Sequence, residues 1–347
     1  MRRRELITGL AVSTIAAPLI DWGNIEPPQQ PGNPTLVKST GNPRYFAKPG
    51  GPPIYFTGAY GWSDHNDILV TYTGVQTPPG TPYPPVAFAF DSSISGVGNP
   101  NYIGWAVSQG YTYCRYWLEM QSYEAVGRSS SISLSMMPFA RPGPGNAADN
   151  LPKYDVNTFN QAYFDRIRAR CIAAQSAGIY VAIVLFDFSS MAPGWAWHPF
   201  NVNNNINGFN ADPANTGAQD SMYTLAANQA ATLTKQQAFV KKVIDTVNDL
   251  DNVLFEIINE GPAGTAAWQQ TMIDYIHNYE ATLAKQHPVG MTGGSGRIPP
   301  STYLNSSADW ISPDNNVAPW PGLWSEPPEN TNAITNGKIA ILDLDHI

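Results

Sequence analysis

The amino-acid sequence predicts an α/β protein, a (β/α)8 barrel of the TIM type. Apolar runs with the length of buried strands alternate with amphipathic helices over most of the chain, as in a parallel sheet with crossover helices. Polar side chains directly follow several of these runs, where the functional residues of barrels lie. The chain has 347 residues, enough for one such barrel.

The elements follow one another in a regular order. The predicted helices are Asn157–Ala177, Lys235–Asp249 and Trp268–Lys285. The first has apolar residues three and four apart and stops at Gly178, a common helix end. The predicted strands are Ile54–Trp62, Tyr111–Met120, Ile179–Phe186, Asn252–Ile258, Pro288–Thr292, Trp310–Ser312 and Lys338–Asp345.

These strands are one fewer than a complete barrel has. The sequence stops at Ile347, in or just after an apolar strand, so we expect a barrel truncated before its eighth βα unit. A doubly wound open sheet is the alternative architecture. No glycine-rich phosphate loop follows the first predicted strand to favour it.

Composition and charge exclude several classes of protein. Hydrophobic residues make up 43% and aromatic residues 12% of the chain, which predicts a folded core rather than disorder. The net charge of −8 argues against nucleic acid and anionic membranes as partners. Cys114 and Cys171 are expected to be buried free thiols, since two cysteines make no disulfide scaffold.

Residues 1–25 have the pattern of a bacterial export signal. Arginines precede an apolar run, Leu6–Ile20, that is short for a membrane span. The segment Arg3–Ile7 resembles a twin-arginine motif, so we expect a secreted or periplasmic protein without stable membrane insertion after export. An ordinary signal peptide or an uncleaved anchor is the alternative. A Pro-rich linker, 26–42, would then precede the barrel, 43–347.

The aromatic and amide-rich segment Gly194–Gly208 is a candidate binding loop. Sugar faces stack on indole rings, and sugar hydroxyls pair with amide and imidazole groups. Trp197, His198 and Asn201 therefore suit a carbohydrate ligand. The alternative is a loop that packs on itself.

Several motifs resemble those of clan A glycoside hydrolases. The run Asn252–Gly261, NVLFEIINEG, is similar to the fourth strand of those barrels, with Asn-Glu at its end. The Gly194–Gly208 loop, the RYF…GGPPIYFTGAYGW opening and the stretch Lys153–Asp187 resemble bacterial barrels of the apiosidase-like or cellulase-like kind. Together these likenesses cover most of 43–347.

The resemblance implies a glycoside hydrolase that cleaves a poly- or oligosaccharide with two carboxylates, and we expect retention of configuration. Glu260 would be the general acid/base, and Asn259 would bind the sugar hydroxyl next to the reacting carbon. Asp345 would be the nucleophile, with Asp343 as second choice and Arg115 orienting it. The family usually has Glu at that position, so aspartate is a departure. Further substrate contacts are expected at Trp62, Trp117, Asp187, Trp197, His198, Asn201 and His346.

Other interpretations remain open at this stage. Asn259 and Glu260 could cap a strand, Asp345 and His346 could be a structural pair, and Arg115 could pair with a neighbouring glutamate, Glu256 or Glu119. A non-catalytic carbohydrate-binding barrel is the first alternative function, and a metal-dependent hydrolase the second. The sequence has no H-x-H or H-E-x-x-H spacing, so neither a metal nor another cofactor is expected.

Overall fold

The fold was analysed in a computed structural model. It describes residues 33–58, 67–72, 102–126, 130–189, 194–214, 219–292, 298–312 and 337–341. All of them belong to one compact unit, Pro31–Ile347. The predicted export signal lies outside the described residues. Among the described helices, none combines the length and the apolar character that crossing a bilayer requires.

Strands and helices alternate along the second half of the chain. The helices are α1 (Tyr102–Ser108), α2 (Gln161–Ser176), α3 (Ala230–Val247), α4 (Ala266–Glu280) and α5 (Pro300–Leu304). The strands are β1 (Val37–Lys38), β2 (Phe46–Ala47), β3 (Pro53–Ile54), β4 (Asp67–Tyr72), β5 (Tyr113–Trp117), β6 (Tyr123–Val126), β7 (Ser130–Ser135), β8 (Phe139–Ala140), β9 (Asp155–Phe159), β10 (Tyr180–Asp187), β11 (Val253–Asn259), β12 (Val289–Thr292), β13 (Trp310–Ser312) and β14 (Ile339–Ala340).

Six parallel strands form the central sheet of the described chain. Their order in space, β5-β10-β11-β12-β13-β14, follows their order in the sequence. Each new strand is added at the same edge of the sheet, and crossover connections are right-handed. The crossover helices therefore lie on one face of the sheet, and the sheet curls so that its other face lines the barrel interior. This arrangement confirms an α/β barrel and is not the doubly wound alternative, in which the strand order reverses. The truncation before an eighth unit stays a prediction.

Two separate apolar clusters cover the two faces of this sheet. On the outer face, α2 and α3 pack against the strands through rings such as Phe164 and Phe239. On the inner face, Tyr113 and Leu254 pack with Leu36 and Phe46 from the small antiparallel sheet β1–β3. Tyr113 and Leu254 lie at the amino ends of their strands, so this small sheet closes the barrel interior at that end.

Most predicted elements are confirmed with shifted ends. The strand Trp310–Ser312 is as predicted, and the helix predicted from Asn157 begins only at Gln161, because β9 occupies the preceding residues. The predicted first strand is wrong over its described part. Only Pro53–Ile54 is a strand, and it pairs antiparallel with β2. The antiparallel strands β4, β6 and β7 were not predicted. Cys114 and Cys171 are buried free thiols, as expected.

Trp310 fills the inner face of the barrel because residue 290 is a glycine. A Cβ atom on Gly290 would lie 2.1 Å from the Trp310 indole, closer than any real contact. The indole is 1% exposed and belongs to the inner cluster. In the described part of the chain, the interior is therefore packed with apolar side chains at the level of Gly290 and Trp310.

Gly290→Ala should destabilise the fold by about 1–3 kcal/mol, since the added methyl group overpacks the interior against Trp310. Urea unfolding would measure the free energy. Gly264→Ala is the matched control. A Cβ atom there meets nothing within 4 Å, so this variant should be neutral or slightly stabilised. Equal stability of both alanine variants would contradict the packed interior.

Candidate active site at the carboxyl ends of the strands

A buried ion pair lies beneath the mouth of the barrel. Arg115 on β5 donates from Nε to Glu256 Oε2 at 3.0 Å and from Nη2 to Oε1 at 2.7 Å. Thr292 on β12 donates its hydroxyl to the same Oε1 at 2.5 Å. Arg115 is 4% and Glu256 0% exposed. The alternative from the sequence, Arg115 paired with Glu256, is therefore what the structure shows.

Asn259 continues this network toward the mouth. Its Oδ1 accepts a hydrogen bond from Arg115 Nη2 at 2.9 Å, and its Nδ2 donates to Asp187 Oδ1 at 3.0 Å. Asp187 is the direct register partner of Asn259 in the parallel pair β10–β11. Ser189 donates its hydroxyl to Asp187 at 2.8 Å. Polar side chains of four strands are thus connected.

The inward position of Asn259 is not what strand alternation predicts. Counting from inward Glu256 in steps of two reaches Glu260, which would leave Asn259 on the outer face. Next to Asp187, however, the Phe186 ring packs on the outer helices, 5.3 Å from the Trp268 ring. Ile258 belongs to the same outer apolar cluster as Phe186 and Trp268. Both strands break alternation at the same level, and this break brings Asp187 and Asn259 into the interior.

Glu260 begins the turn that follows β11. Its φ of +51° lies in the left-handed region, which costs a residue other than glycine about 1–3 kcal/mol. The next residue packs tightly on α4. A Cβ atom on Gly261 would lie 2.7 Å from Gln269 Nε2 and 2.9 Å from Thr265 Oγ1. The packing of this turn therefore fixes a strained backbone at a partly exposed carboxylic acid.

Other acidic groups lie near the same end of the sheet. Glu119, two residues after β5, is 2% exposed, and Gln121 donates to its Oε2 at 2.5 Å. Tyr223 donates its hydroxyl to the main-chain oxygen of Asp187 at 3.3 Å. Burial, together with the charges of Asp187 and Glu119, raises the pKa of Tyr223 well above its usual value, so this hydroxyl stays protonated. The sequence indicated Glu119 only as a partner for Arg115.

The amide groups of the loop Gly194–Gly208 hold the loop itself together. Asn204 and Asn205 donate to main-chain oxygens at 2.8–3.0 Å. Asn201 accepts from the Asn203 main chain and donates to the Trp195 oxygen. His198 is fully buried and accepts from the Phe200 main chain through Nδ1 at 3.0 Å. These contacts match the self-packed alternative, and the predicted sugar contacts of Asn201 and His198 stay predictions.

Trp197 remains suited to a ligand. It is partly exposed, and its ring lies 4.4 Å from that of Tyr123, the first residue of β6. At the start of the loop, a Cβ atom on Gly194 would lie 2.6 Å from Gln121, so the loop lies on the segment after β5. Trp117, in contrast, is 3% exposed inside the barrel, with the Arg115 guanidinium 5.4 Å from its ring.

Four of the predicted site residues lie outside the described residues: Trp62, Asp343, Asp345 and His346. Their predicted roles stay predictions. Within the described part of the chain, no group of three or more His, Cys, Asp or Glu side chains could hold a metal ion. Glu256 and Thr292 were not among the predicted site residues. The one signal for Glu256 was its place as a buried charge on an otherwise apolar strand.

A family described as a domain of unknown function, DUF6298, matches residues 133–295. No curated protein matches the chain. Among solved structures, a mannosidase of glycoside hydrolase family 5 from Rhizomucor miehei, in complex with mannosyl-fructose, has a TM-score of 0.53 and 13% identity. That match covers 89% of this chain and 72% of the mannosidase.

Two further structures match less of their own length. A second variant of the Rhizomucor miehei mannosidase has a TM-score of 0.48 and 11% identity, and the match covers 80% of this chain and 61% of that one. A family 5 glycoside hydrolase from Bacteroides vulgatus has a TM-score of 0.38 and 14% identity, with 75% and 40% covered. At 13% identity, the match to the mannosidase with a TM-score of 0.53 shows the fold alone, and it agrees with an α/β barrel.

The strain at Glu260 predicts an unusual order of stabilities. Glu260→Gly should be more stable than Glu260→Ala by about 1 kcal/mol, because glycine adopts positive φ without a steric penalty. Asp251, an exposed residue with ordinary φ, is the control: there alanine should be the more stable replacement. Urea unfolding of the four variants measures this. The same order of stabilities at both positions would show that Glu260 is unstrained.

The buried His198 predicts a loss of stability in acid. Burial lowers the pKa of His198 to about 3, below its usual value near 6.5. Between these two pKa values, His198 binds a proton in the unfolded chain but not in the folded protein. Stability present above pH 6.5 should fall by roughly 2–3 kcal/mol on going to pH 4.5.

Unfolding of His198→Asn at the two pH values tests this, because asparagine keeps the acceptor without titrating. Between these pH values, unfolding of His198→Asn should take up one proton fewer than unfolding of the parent, so its free energy of unfolding should change less with pH. His277→Asn is the control of opposite sign. Partial burial lowers the pKa of His277, but the hydrogen bond with Asp309 outweighs this effect and raises the pKa above its usual value. The stability that the charged His277 contributes is therefore lost as pH rises. Parallel pH profiles of His198→Asn and the parent would exclude a neutral buried imidazole.

Proposed function

We propose that this protein is a glycoside hydrolase that cleaves a poly- or oligosaccharide, with Glu260 as its general acid/base. The observation that carries the proposal is the position of Glu260. It is a partly exposed acid at the carboxyl end of a barrel strand, in a strained conformation, next to an asparagine held by two charged neighbours. Strain of this kind is retained where function requires it. The shared fold with family 5 glycosidases supports the same conclusion.

The chemistry requires a second carboxylate. Glu260 would protonate the oxygen of the leaving group, and Asp345, or Asp343 as second choice, would attack the reacting carbon and form a glycosyl intermediate. Water, activated by the deprotonated Glu260, would then release the sugar. With this retaining mechanism, the two carboxyl groups should lie about 5–5.5 Å apart.

The remaining groups of the site fit a carbohydrate. The Asn259 amide would bind the hydroxyl next to the reacting carbon, and Asp187 and Trp197 would contact the sugar around it. The predicted export signal would place the enzyme in the periplasm or outside the cell, where polysaccharides are available. Mannans and mannose-containing oligosaccharides are the first substrates to screen, since the similar mannosidase was solved in complex with mannosyl-fructose.

Glu260→Gln tests the assignment. We expect the hydrolysis of natural glycans to fall by about 10²–10⁴-fold, because the leaving oxygen is no longer protonated. Formation of the intermediate from dinitrophenyl glycosides, whose leaving group needs no proton, should be spared. Glycan binding should persist in calorimetry. Asp251→Asn, an exposed carboxylate with side chain 52% exposed, is the control and should behave as the parent.

Three outcomes would contradict the proposal. Equal activity of Glu260→Gln and the parent on natural glycans would remove Glu260 from the reaction. Sugar binding without hydrolysis by the parent would indicate a carbohydrate-binding barrel. Loss of activity with a chelator, restored by a metal ion, would indicate the metal-dependent alternative.

A further inference from the structure

The network under the mouth contains two residues with no role in the mechanism above. Glu256 is fully buried, and Thr292 is 8% exposed. Together they hold Arg115: Glu256 accepts two of its N–H bonds, and Thr292 donates to the same carboxylate. The bidentate geometry fixes the plane of the guanidinium, which leaves Nη2 directed at Asn259 Oδ1. The position of Arg115 thus depends on Glu256.

The Asn259 amide has only one favourable orientation in this setting. Its oxygen faces the Arg115 guanidinium and its nitrogen faces the Asp187 carboxylate. A flip of 180° would turn N–H bonds toward a cation and an oxygen toward an anion. Each hydrogen bond to a charged group contributes about 1.5–3 kcal/mol, so the flip would lose both and add two repulsive contacts.

The fixed orientation leaves one donor unused. A primary amide carries two N–H bonds, and Asp187 accepts one of them. Among the described residues, the other N–H of Asn259 has no partner, although the side chain is only 2% exposed. A buried donor without a partner costs free energy, and a substrate hydroxyl that accepts from it would recover that cost.

We propose that Glu256, supported by Thr292, is a positioning residue: it holds Arg115 so that Asn259 presents an N–H to the hydroxyl next to the reacting carbon. This inference rests on the proposed function. The substrate must carry an acceptor oxygen at that carbon, and its deoxy analogue leaves the buried N–H without a partner.

Glu256→Gln and Thr292→Val test the proposal. Both keep the size of the side chain, but the first removes the charge that holds Arg115 and the second removes the hydroxyl. The readout is kcat/KM for an aryl glycoside and for its analogue without the hydroxyl next to the reacting carbon. We expect Glu256→Gln to lose about 10–100-fold on the parent sugar and much less on the deoxy analogue. Thr292→Val should change in the same direction, and Thr292→Ser should restore the ratio.

If the role of Glu256 were purely structural, Glu256→Gln would lower kcat/KM for both substrates by the same factor, and that result would overturn the proposal. Glu280→Gln is the matched control. Glu280 is another fully buried carboxylate, paired with His287 Nδ1 at 2.6 Å at the end of α4. Its replacement removes a buried ion pair without touching Arg115 or Asn259, so the ratio of kcat/KM for the two substrates should equal that of the parent.

A second measurement does not depend on hydrolysis. With 15N-labelled asparagine, the side-chain amide signal of Asn259 can be identified by its loss in Asn259→Asp. This signal should shift in Glu256→Gln and Thr292→Val and stay in place in Glu280→Gln. An unchanged signal in all three would overturn the proposal even if no glycan is cleaved. Failure of the parent enzyme to hydrolyse any glycan would instead reject the proposed function.

Discussion

The register of the parallel strands is the constraint on which the site depends. Arg115 on β5 and Glu256 on β11 are separated by β10, and they meet because all three strands run in parallel with fixed pairing. A charge left alone in this interior would cost about 3–5 kcal/mol, so a slip of one strand is strongly disfavoured. The same register sets Asp187 beside Asn259. The ion pair and the amide are therefore consequences of one alignment.

Apolar side chains fill one end of the barrel interior and leave the polar network at the other end. Trp310 over Gly290, and the small sheet β1–β3 below it, fill the amino-terminal part of the interior. Among the described residues, the linked polar side chains of the interior lie beyond this apolar part, toward the carboxyl ends of the strands. The buried ion pair next to this apolar part of the interior experiences a low dielectric, which strengthens its hydrogen bonds. Side chains bound to it are held more firmly than those on a surface loop.

The sequence predicted the elements with strong periodicity and missed what depends on tertiary contacts. Strand β13 and the carboxyl-terminal position of Asn259 followed from apolar runs. The inward face of Asn259 did not, because Phe186 and Ile258 turn to the helices together and break alternation. A loop whose amide side chains bind sugars and a loop whose amide side chains bind its own main chain have similar amino-acid compositions. The hydrogen bonds of Asn204 and Asn205, seen in the structure, identify the second case.

Strain and rigidity at the end of β11 have a common origin. Asn259 is fixed by a cation and an anion, and Gly261 is fixed by its packing on α4. Glu260 lies between these two fixed points, so its backbone must close the gap at positive φ whatever its own preference. A turn held at only one end would relax to an ordinary conformation and swing the carboxyl group away. The buried network and the packing of Gly261 thus set the backbone conformation of the acid between them.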